Sequence, residues 1–308
     1  MKVLLLALLF SASVAAAPKN TTAKIPVQDR PEFQETLNLQ ILLDRAHFST
    51  GEIDGVPSVK ITRALKAFQE QNNLEITGVP DAGTTQALNA TAENMLIDYT
   101  LTAADLDVKL VKSIPRTMLA KSKLQRLRYT SLSEALSERF QVSPNVFKFL
   151  NPTATFSVGS TVKIPAVGGP LAAQVSSIVV SKANSSLTLR DAQNKIVGYY
   201  PVTLGAQVSP SPSGTLKVKS ITKNPYYNYD PERFESKGTT IKVTLPPGPN
   251  NPVGLVWIAL SKRHYGIHGT PDPSKISKTN SHGCIRLVNW DALEVADAVA
   301  AGVPVLIE

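Results

Sequence analysis

The sequence predicts a multidomain chain: a small all-α three-helix module, a small α+β module, and a C-terminal, mainly-β sandwich. Three observations carry this. Apolar residues recur at 3–4 spacing from Phe33 to Leu88, the mark of amphipathic helices. A helix pair at 132–150 closes on an alternating segment, Val158 to Pro165. From Val175 onward, short apolar runs alternate with turn residues and no long helix separates them. At 308 residues the chain exceeds one typical domain. With 43% hydrophobic and 18% charged residues, it is neither wholly disordered nor fibrous. Its single cysteine, Cys284, excludes an intrachain disulfide and any CxxC zinc cluster.

The N-terminus predicts export. Met1-Lys2 is basic, Val3 to Phe10 is apolar, and Ser11 to Ala17 is small and ends in three alanines. Residues 1–17 therefore read as a signal peptide cleaved after Ala17. The apolar run falls short of the ~20 residues a membrane span needs, and no later segment is apolar enough to be one. The expected location is the periplasm. Residues 18–32 read as a polar linker.

From Phe33, the stripe Leu37, Gln40, Ile41 and Asp44 predicts a helix, broadened by Leu39, Leu42 and Leu43. Gly51 to Gly55 is a turn. Ser58 is placed to cap a second helix with Ile61, Ala64, Leu65 and Phe68 on one face. Gly78-Val79-Pro80-Asp81 is a second turn, before a short third helix from Thr84 to Asn89. The pattern Gly51-x-Ile53-Asp54-Gly55, Ala64-Leu65-x-x-Phe68-Gln69 and Leu74-x-x-Thr77-Gly78-x-x-Asp81-x-x-Thr84-x-x-Ala87-Leu88 resembles the peptidoglycan-binding helical module. The resemblance covers 33–90 and implies docking to glycan or stem peptide.

Residues 91–126 read as a connector, and the basic run Lys121 to Arg128 as solvated surface. Helices are expected from Leu132 to Phe140 and from Val142-Ser143-Pro144 to Leu150, then a closing strand before Pro165. Over 127–166, this strand–helix–helix–strand pattern, with Asn151-Pro152 and Gly159-x-x-Val162-x-Ile164-Pro165, resembles the LysM glycan-binding module. A structural linker domain is the rival reading.

Gly168-Gly169-Pro170 marks the next boundary, and 174–308 forms the last domain. Strands are expected at 178–180, 185–189, 195–202, 216–219, 239–245, 255–260 and 303–307, with a helix from Trp290 to Ala301 closed by Gly302. The formal charge is +8. Residues 18–116 hold 10 basic and 13 acidic residues, 117–170 hold 7 and 2, and 171–308 hold 14 and 9. A basic middle and C-terminal part suits an anionic polymer outside the membrane better than nucleic acid, for which no aromatic–basic patch exists.

Three of the four histidines and the only cysteine fall within 264–284. A thiol attacks as thiolate and needs a nearby base or positive field, so Cys with His is the minimal acyl-transfer pair. Taken alone, a single Cys is usually a small buried hydrophobe and a single His is surface or core. Zinc is a further alternative, weakened by the lack of any CxxC or HxxxH spacing. No metal or cofactor is called for.

His268-Gly269-Thr270 followed by Ser281-His282-Gly283-Cys284-Ile285-Arg286-Leu287 resembles the signature of the L,D-transpeptidase (YkuD-type) catalytic domain. Leu245-Pro246-Pro247-Gly248-Pro249-Asn250-Asn251-Pro252-Val253-Gly254 is similar to that family's stretch before the active site. The resemblance covers 174–308 and implies a β-sandwich. It implies Cys284 as nucleophile, His268 as base and acid, and the Gly269 carbonyl as the group orienting His268. His282 and the amides of Gly283 and Cys284 would line an oxyanion pocket, and Arg286 would bind a substrate carboxylate. Tyr265 and Ser281 would be pocket walls, while His264 and His47 read as surface. Pro271 to Asn280 departs from the family pattern.

The implied reaction is attack on the L-centre–D-Ala bond of peptidoglycan tetrapeptide stems, then acyl transfer to an amine. A stem amine would give a 3–3 crosslink, an envelope protein would be anchored, and water would make the enzyme an L,D-carboxypeptidase. An inactive wall-binding protein and a hydrolase of another wall amide are the alternatives.

Overall fold

The structure, a computed structural model, describes residues 26–89, 94–233 and 241–308. The expected signal peptide, and the linker up to residue 25, lie outside the described residues. Helices α1 (Phe33–Arg45), α2 (Val59–Gln71) and α3 (Ala82–Asn89) form the first unit, at the positions periodicity predicts. Each connecting turn is tied to a buried glutamine of the helix before it. Gln40 Oε1 accepts from the amides of Asp54 and Gly55 (3.2 and 2.8 Å). Gln69 Oε1 accepts from Gly78 N (2.8 Å), while its Nε2 donates to Thr77 Oγ1 and Thr84 Oγ1, each at 2.8 Å. Buried amide side chains are retained when both ends are satisfied. Ser58 does stand at the N-cap of α2, yet its hydroxyl makes no capping bond and lies buried.

The middle unit differs from its expected boundaries. It contains β1 (Leu96–Thr100), α4 (Ala103–Leu106), α5 (Met118–Ser122), α6 (Leu132–Arg139), α7 (Pro144–Leu150) and β2 (Thr161–Pro165). Helices α6 and α7 start at Ser131 and Ser143, whose hydroxyls accept from the third amide beyond (3.1 and 3.2 Å). The opening strand of the strand–helix–helix–strand unit is β1, which pairs antiparallel with β2 from Leu96↔Pro165 to Thr100↔Thr161. It lies in the segment expected to be a connector, so α4 and α5 are inserted between the opening strand and the helix pair. The span 127–166 holds only the last three elements of the unit.

Helix α1 explains why the units do not separate. Its Phe33, Leu37 and Ile41 join a core with Leu136, Phe140 and Phe147 of the middle unit. Its Leu42 and Leu43 join a second core with α2 and with Ile196 and Tyr199 of the C-terminal part. The broad apolar stripe therefore serves two partners.

The C-terminal part contains β3 (Ser177–Ser181), β4 (Ser186–Arg190), β5 (Ile196–Pro201), β6 (Gly214–Lys223), β7 (Tyr227–Tyr229), β8 (Val243–Leu245), β9 (Val256–Leu260), β10 (Gly266–His268), β11 (Ile285–Arg286), α8 (Asn289–Ala298) and β12 (Pro304–Ile307). Among the described residues, β7 and β8 pair separately, and the other strands form one sheet in the order β11-β10-β9-β6-β12-β3-β4-β5. The two layers expected of a sandwich are thus continuous. The ten-residue β6 pairs with β12 through its first half and with β9 through its second, with a register shift at Val218/Ser220. Such a bulge bends a strand and lets a sheet curl. Helix α8 packs Ala292, Val295 and Ala296 into the core. It stops at Ala298, and Gly302 lies beyond, donating its amide to Val218 O.

Both edges of the sheet are covered. At β5, Tyr199 N donates to His47 O and Ser49 N to Tyr199 O, each at 2.8 Å. At β11, Arg286 N donates to Thr203 O and Thr203 N to Arg286 O, each at 2.9 Å. Covered edges cannot template pairing with another chain.

A polar cluster lies where the first unit meets α8. Ser49 Oγ donates to Asp291 Oδ2 (2.9 Å), Tyr200 Oη donates to Glu294 Oε2 (2.9 Å), and His47 Nδ1 lies 2.8 Å from Glu294 Oε1. His47, expected at the surface, is half-buried at this junction. Burial, then the charge of Glu294, raises the Asp44 carboxyl from 3.8 to about 7. The folded chain therefore holds that proton more tightly than the unfolded chain does. The stability this gives is complete below about 3.8 and is lost as pH rises through about 7. Asp44→Asn, which never ionises, is expected to stabilise the chain at pH 8 by up to about 4 kcal/mol, the equivalent of roughly three pKa units. The gain should shrink towards pH 4. Urea denaturation at both pH values checks the sign.

Candidate active site

Strand β10 is antiparallel to β9, with Ile267↔Ile258 and His268↔Trp257. It is parallel to β11, with Ile267↔Ile285 and His268↔Arg286. Side chains alternate across a strand. Ile258, Ile267 and Ile285 are buried in the core, so Trp257, His268 and Arg286 turn to the other face. That face opens into a cleft of about 640 Å³, which Cys284, two residues before Arg286, also lines. Sequence periodicity thus becomes a site: one apolar residue inward on each strand sends its neighbour into the cleft.

His268 is buried, with Trp257 stacked on its ring at a centroid distance of 5.5 Å. Its Nδ1 lies 2.7 Å from Gly269 O. A carbonyl can only accept, so Nδ1 carries the proton and Nε2 keeps its lone pair. Burial, and then the positive charge of Arg286, push the imidazole down to about 3. It rests neutral, with the Nε2 lone pair free of a proton. Gly269 has no room for a side chain: a Cβ there would lie 2.2 Å from Asn289 Oδ1.

Cys284 ends a turn fastened by Ser281. Ser281 Oγ donates to Cys284 O (2.6 Å) and accepts from Gly283 N (3.2 Å). Ser281 is itself held by Leu204 and Ala206 through backbone bonds of 2.7 and 3.1 Å. It lines the cleft, but its hydroxyl is committed to the turn. Gly283 has φ +102°, and a Cβ there would lie 2.8 Å from Tyr265 Cε1. Only glycine enters this conformation without strain. Its amide, an expected oxyanion donor, points at Ser281 Oγ. The Cys284 thiol is half-buried, with Sγ 3.7 Å from the His264 carbonyl oxygen. His264 is exposed, as expected, yet lines the cleft.

Arg286 is half-buried in the cleft, and its Nε is buried with no hydrogen-bond partner among the described residues. A buried guanidinium N–H without an acceptor is unfavourable and calls for an anion. Tyr265 forms a wall, with Lys262 Nζ 5.1 Å from its ring centroid. His282 is exposed at the mouth. The structure therefore gathers Tyr265, His268, Ser281, His282, Cys284 and Arg286 around one cleft, with Gly269 and Gly283 supporting it.

Sequence reasoning missed several walls. Trp257 is one of them: the strand Val256 to Leu260 is apolar throughout, and only its alternating burial in the sheet sends Trp257 away from the core. Tyr226, Tyr227 and Arg263 also line the cleft, but no local pattern marks them. The atypical segment 271–280 contributes no lining residue among those described. It packs elsewhere, with Ser277 Oγ donating to Val202 O (3.0 Å).

Residues 176–307 match the family profile of the L,D-transpeptidase catalytic domain, YkuD, and residues 34–88 match a peptidoglycan binding domain. The chain is 30% identical over 175 residues to a Bacillus subtilis (strain 168) protein named as the L,D-transpeptidase YkuD, covering 56% of this chain and 91% of that one. A Bacillus licheniformis protein of the same name is 32% identical over 177 residues, covering 56% and 92%. Among solved structures, L,D-transpeptidase 3 from Mycobacterium tuberculosis in complex with a faropenem-derived adduct aligns with a TM-score of 0.37 and 16% identity, over 51% of this chain and 77% of that one.

A neutral His268 has a spectroscopic consequence. At pH 5, where an ordinary imidazole near 6.5 is largely protonated, nitrogen-15 NMR is expected to show His268 as the Nδ1–H neutral tautomer. Titration of His268 near 6.5 would refute the burial argument.

Proposed function

This chain belongs to the L,D-transpeptidase family, and on that premise we propose that it acts on peptidoglycan stems through a Cys284 acyl-enzyme. One observation carries the reading. The β9–β10–β11 register turns His268 and Arg286 into the cleft lined by Cys284, with His268 held as a neutral base by Gly269 O.

The steps follow from these groups. His268 Nε2 takes the thiol proton as Sγ attacks the carbonyl carbon of the L-centre–D-Ala amide. The tetrahedral oxyanion is met by backbone N–H groups of the 282–284 turn. For the Gly283 amide to serve, it must share or exchange its 3.2 Å bond to Ser281 Oγ. The C–N bond breaks, D-Ala leaves with the proton from His268, and a thioester remains. An amine then attacks the thioester, gives its proton to His268, and expels the Cys284 sulfur, which recovers that proton. The thioester conserves the energy of the cleaved amide, so no nucleotide is required. Arg286 holds a stem carboxylate through the N–H groups it presents to the cleft, and Tyr265 and Trp257 supply apolar walls.

The acceptor decides the product: a neighbouring stem gives a 3–3 crosslink, an envelope protein is anchored, and water makes the enzyme a carboxypeptidase. The helical module at 34–88 is proposed to dock the enzyme on the wall, and the β1–α6–α7–β2 unit to bind glycan as LysM modules do. Export through residues 1–17 would place the activity in the periplasm.

Intact-mass measurement with a carbapenem is expected to show one covalent adduct, absent in Cys284→Ala. A wild-type chain that forms none would sink the acyl-enzyme reading. With purified tetrapeptide stems, crosslinked dimer supports transfer and tripeptide alone supports hydrolysis, and Cys284→Ala should yield neither. Arg286→Ala is expected to raise KM by roughly 10- to 100-fold, the range for a charged hydrogen bond. An unchanged KM would remove Arg286 from substrate binding.

A further inference from the structure

The peptide unit between Gly269 and Thr270 is held from both sides. Its carbonyl accepts from His268 Nδ1 at 2.7 Å. Its N–H donates to Asn289 Oδ1 at 3.1 Å. The same oxygen accepts from Leu255 N at 3.1 Å, tying the turn to the start of β9. Asn289 is buried at the start of α8. An amide side chain has two orientations, and only one places oxygen on these two donors. The other end of the amide reinforces that choice: Nδ2 donates to Glu138 Oε1 at 3.0 Å and, over a longer 3.4 Å, to Pro249 O. Glu138 belongs to α6 of the middle unit, 151 residues away. Its Oε1 also accepts from Tyr129 Oη at 3.0 Å.

We propose that Asn289 and Glu138 are positioning residues for the reaction. Glu138 fixes the Asn289 amide, and Asn289 fixes the peptide whose carbonyl holds His268. The proposal rests on the reading of Cys284 and His268 as the acylation pair. A flipped Asn289 would point an N–H donor at two N–H groups. The Gly269–Thr270 peptide could then rotate and release Nδ1, and the Nε2 lone pair would lose its aim. Further stitches tie the middle unit to this region. Asn250 Nδ2 donates to Glu134 Oε1 (2.7 Å) and to Arg128 O (2.9 Å), and Leu127 N donates to Pro247 O (3.0 Å). These hold the segment leading to Pro252 and Val253, which line the cleft. The middle unit is thus a buttress of the active site, and residues 174–308 contain the reacting groups without all of their supports.

The test uses the full chain with Glu138→Leu and Glu138→Gln. Glutamine can present its oxygen to Asn289 and Tyr129 as Glu138 Oε1 does, whereas leucine presents nothing. Glu138→Leu is expected to lower the carbapenem acylation rate, and kcat on tetrapeptide stems, by about tenfold, since small misplacements of reacting groups carry losses of this size. KM should stay within about twofold. The pH profile of Cys284 alkylation by iodoacetamide should shift in Glu138→Leu and coincide with wild type in Glu138→Gln. Equal loss in both variants, or wild-type rates in Glu138→Leu, would overturn the proposal. If Glu138→Leu does not fold, Tyr129→Phe, which deletes one hydroxyl, is expected to lower the acylation rate about twofold at unchanged KM, and an unchanged rate would refute the relay. Failure of the wild-type chain to acylate would instead refute the acyl-enzyme reading.

Discussion

The parallel pairing of two very short strands governs the C-terminal half of this chain. Ile267 and Ile285 sit opposite each other in the core, so His268 and Arg286 must face the cleft together. A slip of one residue on either strand would bury a charged or titratable group and expose an isoleucine. The site is therefore anchored by hydrophobic burial rather than by polar contacts among its reacting groups. The Ser281 hydroxyl and the conformation of Gly283 then set where the chain delivers Cys284.

That pairing needs a rigid surround, and the molecule supplies it from three directions. The first unit covers the β5 edge and shares a core with Tyr199. The segment at Thr203 covers the β11 edge. The middle unit reaches Asn289 through Glu138. Burial, the leading effect on Glu138, raises its carboxyl to about 7, and hydrogen bonds from Asn289 and Tyr129 offset part of that rise. Modules that look separable along the chain are therefore built into one another, with α1 dividing its apolar surface between two cores.

The electrostatics of the cleft follow from the same burial. A neutral His268 leaves the half-buried Arg286 as the charge beside it in the cleft, in keeping with the carboxylate contact proposed for Arg286. The chain's single cysteine, with no second thiol to pair with, cannot be lost to an internal disulfide.

By itself the sequence determined which residues are candidates for chemistry. Cys284, His268, Gly283 and Arg286 are chemically distinctive types at fixed local spacing, and the helices at 33–89 and 132–150 follow from apolar periodicity. Trp257 was not marked, because Val256 to Leu260 is apolar throughout and only the folded sheet shows which side chains face the cleft. Only the tertiary structure decided that β10 pairs with β11, since strands of three and two residues are too short to show a period. The opening strand β1 was hidden because its partner lies about sixty residues away and its own burial alternation is weak. Asn289 and Glu138 were hidden because a hydrogen bond between residues 151 apart leaves no local pattern. Residue type and spacing are local properties of the chain, whereas register and long-range polar contacts are settled by how the whole core packs.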